Sequence, residues 1–183
     1  LAEDPPLLME VSLGGSEPGR VLGLLDDEQW DRLVAVDPQG GVWTASTSAD
    51  FLTWRVGPLE DGQETSKYSI LTDDGLRHWG DGPLGDARMG TVTAFVVDGD
   101  GRVVLTDGAR KAIRRVGPDG LETLLGQHKG MAAGRGPAGA LFYPAGLTPC
   151  AEGLWLLDRG AIPAEGVEVP SEAWWLRRVE TTQ

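Results

Sequence analysis

Hydrophobic and polar residues alternate over short stretches of this chain, and each stretch ends in a turn. The apolar run Phe95–Val97 leads into Asp98-Gly-Asp-Gly and then into a second apolar run, Val103–Leu105. Alternation with a period of two is typical of half-buried strands, and Asp-Gly pairs supply the positive φ values that short hairpin turns need. The pattern predicts a β-hairpin here.

This pattern occurs three times, so the chain contains an internal repeat. Each copy predicts a strand, a tight turn, a second strand, a loop and a third strand that ends in Arg-Val. The copies span Leu33–Val56, Phe95–Val116 and Gly146–Val179. In the first two copies a Gly-Pro pair follows at once, and we expect it to end the third strand. Trp43 and Trp155 occupy equivalent places after the inner turn and are predicted to lie in the core between repeats.

Glycine-rich connectors lengthen the repeat to about 60 residues, beyond the roughly 40–45 of a WD-type blade. One connector is His78–Gly90 and the other is Gly126–Ala140. In a β-propeller such connectors run over the rim, where loops carry function on a rigid scaffold.

The second copy resembles an NHL repeat of the bacterial long-connector type. The matching residues are Asp98, Gly101, Asp107, Ile113, Arg114, Asp119, Gly120, Leu121, Thr123, Leu124 and Gly126. The segment Ala140–Leu147 resembles the entry of such a repeat. The resemblance implies an all-β fold, a β-propeller of four-stranded antiparallel blades, with about three to four blades in this chain.

The sequence departs from the NHL pattern at several positions, so the array is diverged. The family asparagine is Arg110 in copy two and Ala49 in copy one, and the family aspartate is Ser46 in copy one. Copy three carries an insertion around 161–172.

The repeats divide the chain into four predicted regions. They are N-terminal strands of a neighbouring or closing blade (1–32), a blade with rim connector (33–90), a second such blade (91–140) and a blade with insertion (141–183). A flexible extension or a compact fourth blade are the alternatives for 1–32. Because propellers close with four to eight blades, we expect a second copy or another chain to complete the ring.

Charge and cysteine content limit the function classes. The net charge is -12, and most of it lies in residues 1–90, which disfavours binding to nucleic acid. Cys150 is the single cysteine, so no internal disulfide forms. No apolar run has the roughly 20 residues of a membrane span. The chain begins at Leu1, which leaves room for a removed signal segment and favours an exported or extracytoplasmic location, although the compartment stays open.

Two sets of residues are candidates for binding a protein partner. The first lies in the rim connectors and comprises His78, Trp79, Asp81, Arg88, His128, Lys129 and Arg135. The second is a basic cluster on the third strand of copy two, comprising Arg110, Lys111, Arg114 and Arg115. The cluster is either a solvated strand or a patch for an acidic partner.

No residue is predicted to be catalytic, and no cofactor or metal is expected. Propeller lactonases similar to gluconolactonase hold a divalent ion with carboxylate and asparagine ligands, and this chain has no asparagine. The carboxylates of Asp98 and Asp100 are better explained by hydrogen bonds within their own turn than by calcium. Asp107 and Asp158 are predicted to accept from amides of the loops that follow them. The sequence therefore favours a non-catalytic module for protein binding or assembly. The alternative is part of a propeller hydrolase or lyase with a metal site at the channel mouth.

Overall fold

The structure is a computed structural model, and all regular elements among the residues that it describes are strands. It describes residues 7–10, 20–24, 33–47, 53–61, 63–72, 80–98, 100–126, 128–129, 140–150, 153–160 and 174–179. Near the N-terminus, β1 (Leu7–Glu10) and β2 (Arg20–Leu24) pair antiparallel. Within all the residues that the structure describes, no helix is long and apolar enough to cross a membrane.

Blade 1 is a sheet with four antiparallel strands. They are β3 (Leu33–Val36), β4 (Val42–Thr47), β5 (Thr53–Glu60) and β7 (Tyr68–Thr72). The short β6 (Gln63–Glu64) adds to β5, and β8 (Arg88–Met89) runs parallel to β7.

Blade 2 is a four-stranded antiparallel meander, and blade 3 has three strands in the described part of the chain. Blade 2 comprises β9 (Val92–Val97), β10 (Val103–Asp107), β11 (Ala112–Gly117) and β12 (Gly120–Gly126). Between the blades, β13 (His128–Lys129) and β14 (Ala140–Leu141) pair parallel. Blade 3 comprises β15 (Pro144–Cys150), β16 (Gly153–Arg159) and β17 (Trp174–Val179).

These stacked antiparallel sheets confirm the predicted fold class of propeller blades. Each of the three sequence copies supplies the inner strands of one sheet. That 1–32 belongs to a neighbouring or closing blade stays a prediction, as do the domain boundaries at 32/33, 90/91 and 140/141.

An aspartate organises the inner turn of blades 1 and 2. The Asp37 Oδ1 atom accepts hydrogen bonds from the amides of Gln39 and Gly41. In blade 2, the Oδ1 atom of Asp98 accepts from the amides of Asp100 and Arg102. As predicted, the Asp98 carboxylate binds the backbone of its own turn, whereas the Asp100 carboxylate pairs with the Arg102 side chain of the same turn.

The Gly-Pro pair of blade 1 does not end its strand, which corrects the sequence prediction. Strand β5 continues through Gly57 and Pro58 to Glu60, whereas β11 ends before Pro118. The Pro58 carbonyl accepts from both the amide and the hydroxyl of Thr65. A Cβ at Gly57 would lie 1.8 Å from the Thr65 carbonyl oxygen. The small residue therefore lets the neighbouring segment replace the pairing that proline would otherwise interrupt.

Two apolar cores lie between the blades and define the two faces of blade 2. Its rear face packs against blade 1 through Phe95, Val97, Val103, Leu105, Val116 and Leu121. Its forward face packs toward blade 3 through Val96, Val104, Ile113 and Leu125. Side chains alternate between these faces along each strand, as expected for a sheet covered on both sides.

Candidate functional site

The described part of the first connector, residues 80–90, is fastened to blade 2 by polar contacts. Asp81 accepts hydrogen bonds from both the amide and the hydroxyl of Thr123, at 2.8 and 2.9 Å. Its Oδ1 atom also lies 2.9 Å from an Nη atom of Arg114. Gly82 exchanges two backbone hydrogen bonds with Leu121. The connector thus lies along the outer strands of blade 2.

Arg114 is the centre of these contacts, and its side chain is fully buried. One Nη atom lies 3.3 Å from the Asp107 carboxylate, and the other donates to the Gly80 carbonyl and to Asp81. A buried arginine requires such partners, because an uncompensated charge in the protein interior is costly.

Asp107 is also fully buried and accepts from three directions. Its donors are the Gly90 amide, the Arg110 amide and Arg114. Burial raises the pKa of Asp107 above its ordinary value, and the three donors oppose this shift with smaller effects. The predicted bond to the following loop is present at Arg110, and the bond to Gly90 adds a link to the preceding connector.

Gly90 is held from both neighbouring blades. Its amide donates to Asp107 of blade 2, and its carbonyl accepts from the indole Nε1 of Trp54 in blade 1 at 3.1 Å. A Cβ at this position would lie 2.6 Å from both Ala109 and the Asp107 carboxylate. Only glycine fits without displacing one of these neighbours.

Blade 3 repeats the aspartate and arginine arrangement of blade 2. Asp158 is fully buried, accepts from the amides of Phe142 and Tyr143 and lies 3.1 Å from Arg177. These amides belong to the chain entering the blade, whereas residues 161–173 of the following loop lie outside the described residues, so the predicted bond to that loop stays a prediction. Arg177 lies opposite Leu156 in the sheet, just as Arg114 lies opposite Leu105.

The structure places the predicted connector residues in different situations. His78, Trp79 and Arg135 lie outside the described residues, and for His128 and Lys129 only the backbone is described, in β13. Asp81 is part of the fastening just described. Arg88 donates to the carbonyls of Asp86 and Ala87 in its own connector. A binding role for these residues stays a prediction.

The basic cluster separates into a buried and a surface part. Arg114 is buried against Asp107 and Asp81, so it does not belong to an exposed patch. Arg115 points to the opposite side of β11 and pairs with Glu122 of β12. Burial lowers the pKa of Arg110, with a further contribution from the charge of Arg114. Lys111 stacks over the Phe142 ring. A binding role for the remaining residues is untested.

The forward face of blade 3 differs sharply from that of blade 2. Trp155 occupies the place of Val104, since each lies three residues before the buried aspartate of its strand, Asp158 or Asp107. Val104 is 6% exposed and Trp155 37%. Leu176 occupies the place of Ile113, and the exposed fraction rises from 0% to 66%. The prediction that Trp155 lies in the core is therefore wrong for the described residues, whereas Trp43 is buried as predicted.

Further side chains extend this apolar surface on β16 and β17. In the sheet register Leu157 lies opposite Leu176, Trp174 lies opposite Arg159, and Trp155 lies opposite Arg178. Leu157 and Trp174 are exposed as well. We call the six residues the forward face of blade 3: Trp155, Leu157, Arg159, Trp174, Leu176 and Arg178. This face combines exposed apolar side chains with two guanidinium groups.

Blade 1 exposes apolar residues on its opposite, rear side. Val34 and Val36 occupy the places of Phe95 and Val97, because they lie three residues and one residue before the aspartate that begins the inner turn. Both blade 2 residues are buried against blade 1, and both valines are exposed. The two ends of the described stack therefore carry the apolar positions that blades use to contact each other.

The carboxylates of Asp81, Asp107 and Asp158 each bind backbone amides and an arginine. Among the residues that the structure describes, no three His, Cys, Asp or Glu side chains are grouped so that they could hold a metal ion.

Sequence reasoning missed the role of Asp81, which pairs with a residue 33 positions away. Its Gly-Asp-Gly context is that of an ordinary turn. The sequence carries only a weak signal of these buried ion pairs. An arginine precedes the Arg-Val pair in copies two and three, and both copies also have an aspartate at or near the end of the preceding strand.

Comparison with solved structures shows similarity to two proteins from Bacteroides thetaiotaomicron. One, an auxiliary nutrient binding protein, is 17% identical with a TM-score of 0.52, over 76% of this chain and 37% of that protein. The other, of unknown function, is 14% identical with a TM-score of 0.42, over 75% of this chain and 47% of that protein. No family model and no curated protein matches the sequence. The chain spans just over a third of the nutrient binding protein, and at this identity the likeness concerns the fold alone.

Proposed function

We propose that this chain is a non-catalytic propeller module of NHL-like repeats, which binds a protein and is completed as a ring by another copy or chain. One observation carries the proposal. The forward face of blade 3 has apolar residues at the positions that are buried between blades 2 and 3 on the forward face of blade 2. On blade 3 these residues are exposed.

The intact contact between blades 1 and 2 indicates what such a face binds. On its blade 1 side the contact contains Trp43, Ala45, Trp54, Val56, Tyr68 and Ile70. Blade 2 contributes the valine, leucine and phenylalanine side chains of its rear face. A face of the same construction at blade 3 is suited to the rear face of a further blade.

Exposed apolar area also argues for association on general grounds. Contiguous apolar patches rimmed by polar groups mark protein interaction sites, and tryptophan is enriched among residues that dominate binding energy. Arg159 and Arg178 lie within this face, and the Arg159 guanidinium stacks over the Trp174 ring. A partner that brings acidic groups to the margin of an apolar patch fits this surface best.

Sedimentation equilibrium over a range of concentrations tests the proposal. Without its partner, we expect the purified chain to self-associate through this face, with an average mass above 19.5 kDa that rises with concentration. The double variant Trp155→Ser/Leu176→Ser should lower association at least tenfold. Tyr143→Ser serves as the matched control, because it removes an exposed aromatic ring outside the forward face and should leave the mass unchanged. A monomer at every concentration would contradict the proposal.

The non-catalytic part has a separate test. Metal analysis of the purified protein should find no stoichiometric zinc or calcium. One equivalent of either ion would instead favour the hydrolase or lyase alternative.

A further inference from the structure

Blade 3 differs from blade 2 at its outer edge, where one strand is missing from the described sheet. In blade 2, β12 pairs antiparallel with the outer side of β11. In blade 3, β17 is the counterpart of β11, and none of the described strands pairs with its outer side. Within the described residues this edge is open, and an open strand edge presents backbone donors and acceptors that can pair with another chain.

The register of the two sheets shows which residue of β17 corresponds to which residue of β11. Val103 pairs with Val116 in blade 2, and Leu154 pairs with Val179 in blade 3. The inner turns place Val103 and Leu154 at equivalent positions, so Val179 corresponds to Val116. By the same count Arg178 corresponds to Arg115, and Leu176 to Ile113.

The pairing of β11 with β12 then specifies what fits beside β17. Glu122 lies opposite Arg115, and the two side chains form an ion pair. Leu121 lies opposite Val116 and is buried. Leu125, opposite Ile113, is buried toward blade 3. A fitting strand therefore has an acidic residue between apolar ones.

We propose that β17 accepts an extended strand from a separate polypeptide, antiparallel to it. The strand has an acidic residue opposite Arg178 and apolar residues opposite Val179 and Leu176. This inference rests on the proposed function and names the chemistry of the partner. Backbone hydrogen bonds supply affinity in such strand addition, and alternating side chains supply specificity. Arg178 is exposed on β17 and lies opposite Trp155 of β16.

A peptide copied from blade 2 is the probe for this edge. A synthetic peptide of residues 118–127, Pro-Asp-Gly-Leu-Glu-Thr-Leu-Leu-Gly-Gln, is titrated into the whole 15N-labelled chain. We expect saturable amide shifts in β17, with smaller ones in β16 and none in β4. A scrambled peptide of the same composition should cause no saturable shift.

A charge reversal then tests the acidic position. The Arg178→Glu variant should bind the peptide about two- to fivefold more weakly, the size expected for one cross-strand pair. A peptide with Glu122→Lys should restore binding to this variant and bind the unchanged protein more weakly. Arg102→Glu is the matched control, since it reverses an exposed charge in the inner turn of blade 2 and should leave binding unchanged.

The outcomes separate this inference from the proposed function. A chain that self-associates through the forward face but shows no peptide shifts in β17 overturns strand addition and leaves the proposed function standing. Shifts confined to β11 would mean that the peptide displaces β12, which also overturns the inference. If the peptide lowers the mass of a self-associated chain, the strand beside β17 comes from a second copy of this chain, which overturns a partner of different sequence. A monomer without peptide binding overturns both proposals.

Discussion

Blade 2 and blade 3 share one internal framework and differ in their surroundings. Each places a buried aspartate at or near the end of its second strand and an arginine on its third strand to meet it. Blade 2 is covered on both faces and completed by β12, whereas blade 3 has an exposed forward face and three described strands. Burial at an apolar position here depends on the neighbouring blade, although the framework is set within each blade.

Removing the aspartate of each buried ion pair should give the largest difference in stability loss between blade 2 and blade 3. Asp107→Ala leaves the fully buried Arg114 with less compensation, and we expect a loss of about 3–5 kcal/mol in the free energy of unfolding. Asp158→Ala should cost about 1–3 kcal/mol, because the Arg177 side chain is 20% exposed and water can reach it. Urea denaturation measures both.

Asp119→Ala is the control for these two variants, since Asp119 is exposed in the turn before β12 and its removal should change stability by less than about 0.5 kcal/mol. Equal losses for Asp107→Ala and Asp158→Ala would show that the partial exposure of Arg177 has no energetic meaning.

The forward faces provide the next comparison. Ile113→Ala removes a fully buried side chain and should lower the free energy of unfolding by about 2–5 kcal/mol. Leu176→Ala, at the equivalent place in blade 3, should lower it by less than about 1 kcal/mol in the monomer. Both are measured by denaturation at a protein concentration where the chain is monomeric. A large loss from Leu176→Ala in the monomer would mean that this face is covered within the chain.

Much of the fold follows from local sequence, because turns and strand alternation are local. The Asp-Gly turn at Asp98 and the apolar runs beside it predict blade 2 directly. The continuation of β5 through Pro58 does not follow, since it depends on Thr65 approaching from the next segment. The pairing of Asp81 with Arg114 depends on a connector folding back over a sheet, and residue types alone do not encode that geometry.

The inner turns of blades 1 and 3 should give the smallest difference in stability. Blade 1 has Asp37 at the start of its turn, where blade 3 has Cys150. The Trp43 indole donates to Asp37 and, with the turn amides, holds the pKa of this carboxyl below its ordinary value. Because the folded-state pKa is lowered, the stabilisation is complete above about pH 4, the unfolded value, and is lost as pH falls through the folded pKa.

An NMR titration of the Trp43 indole signal follows this loss. Its midpoint should lie below the pKa of an unperturbed aspartate. In Trp43→Phe, which lacks the indole, the amide signal of Gly41 reports on the same carboxylate, and the Asp37 midpoint should move upward. A midpoint at or above the ordinary value would mean that the indole does not stabilise the charged carboxylate.

Gly90 is attached to two neighbouring blades, and we expect this double attachment to couple their unfolding. Trp54 holds its carbonyl from one side, and Asp107 holds its amide from the other. The blades therefore cannot separate without releasing the segment that joins them, and local opening on either side weakens both. A repeat boundary drawn at 90/91 separates sequence copies but passes beside this doubly bound glycine, so we expect the smallest piece that unfolds cooperatively to be larger than one repeat.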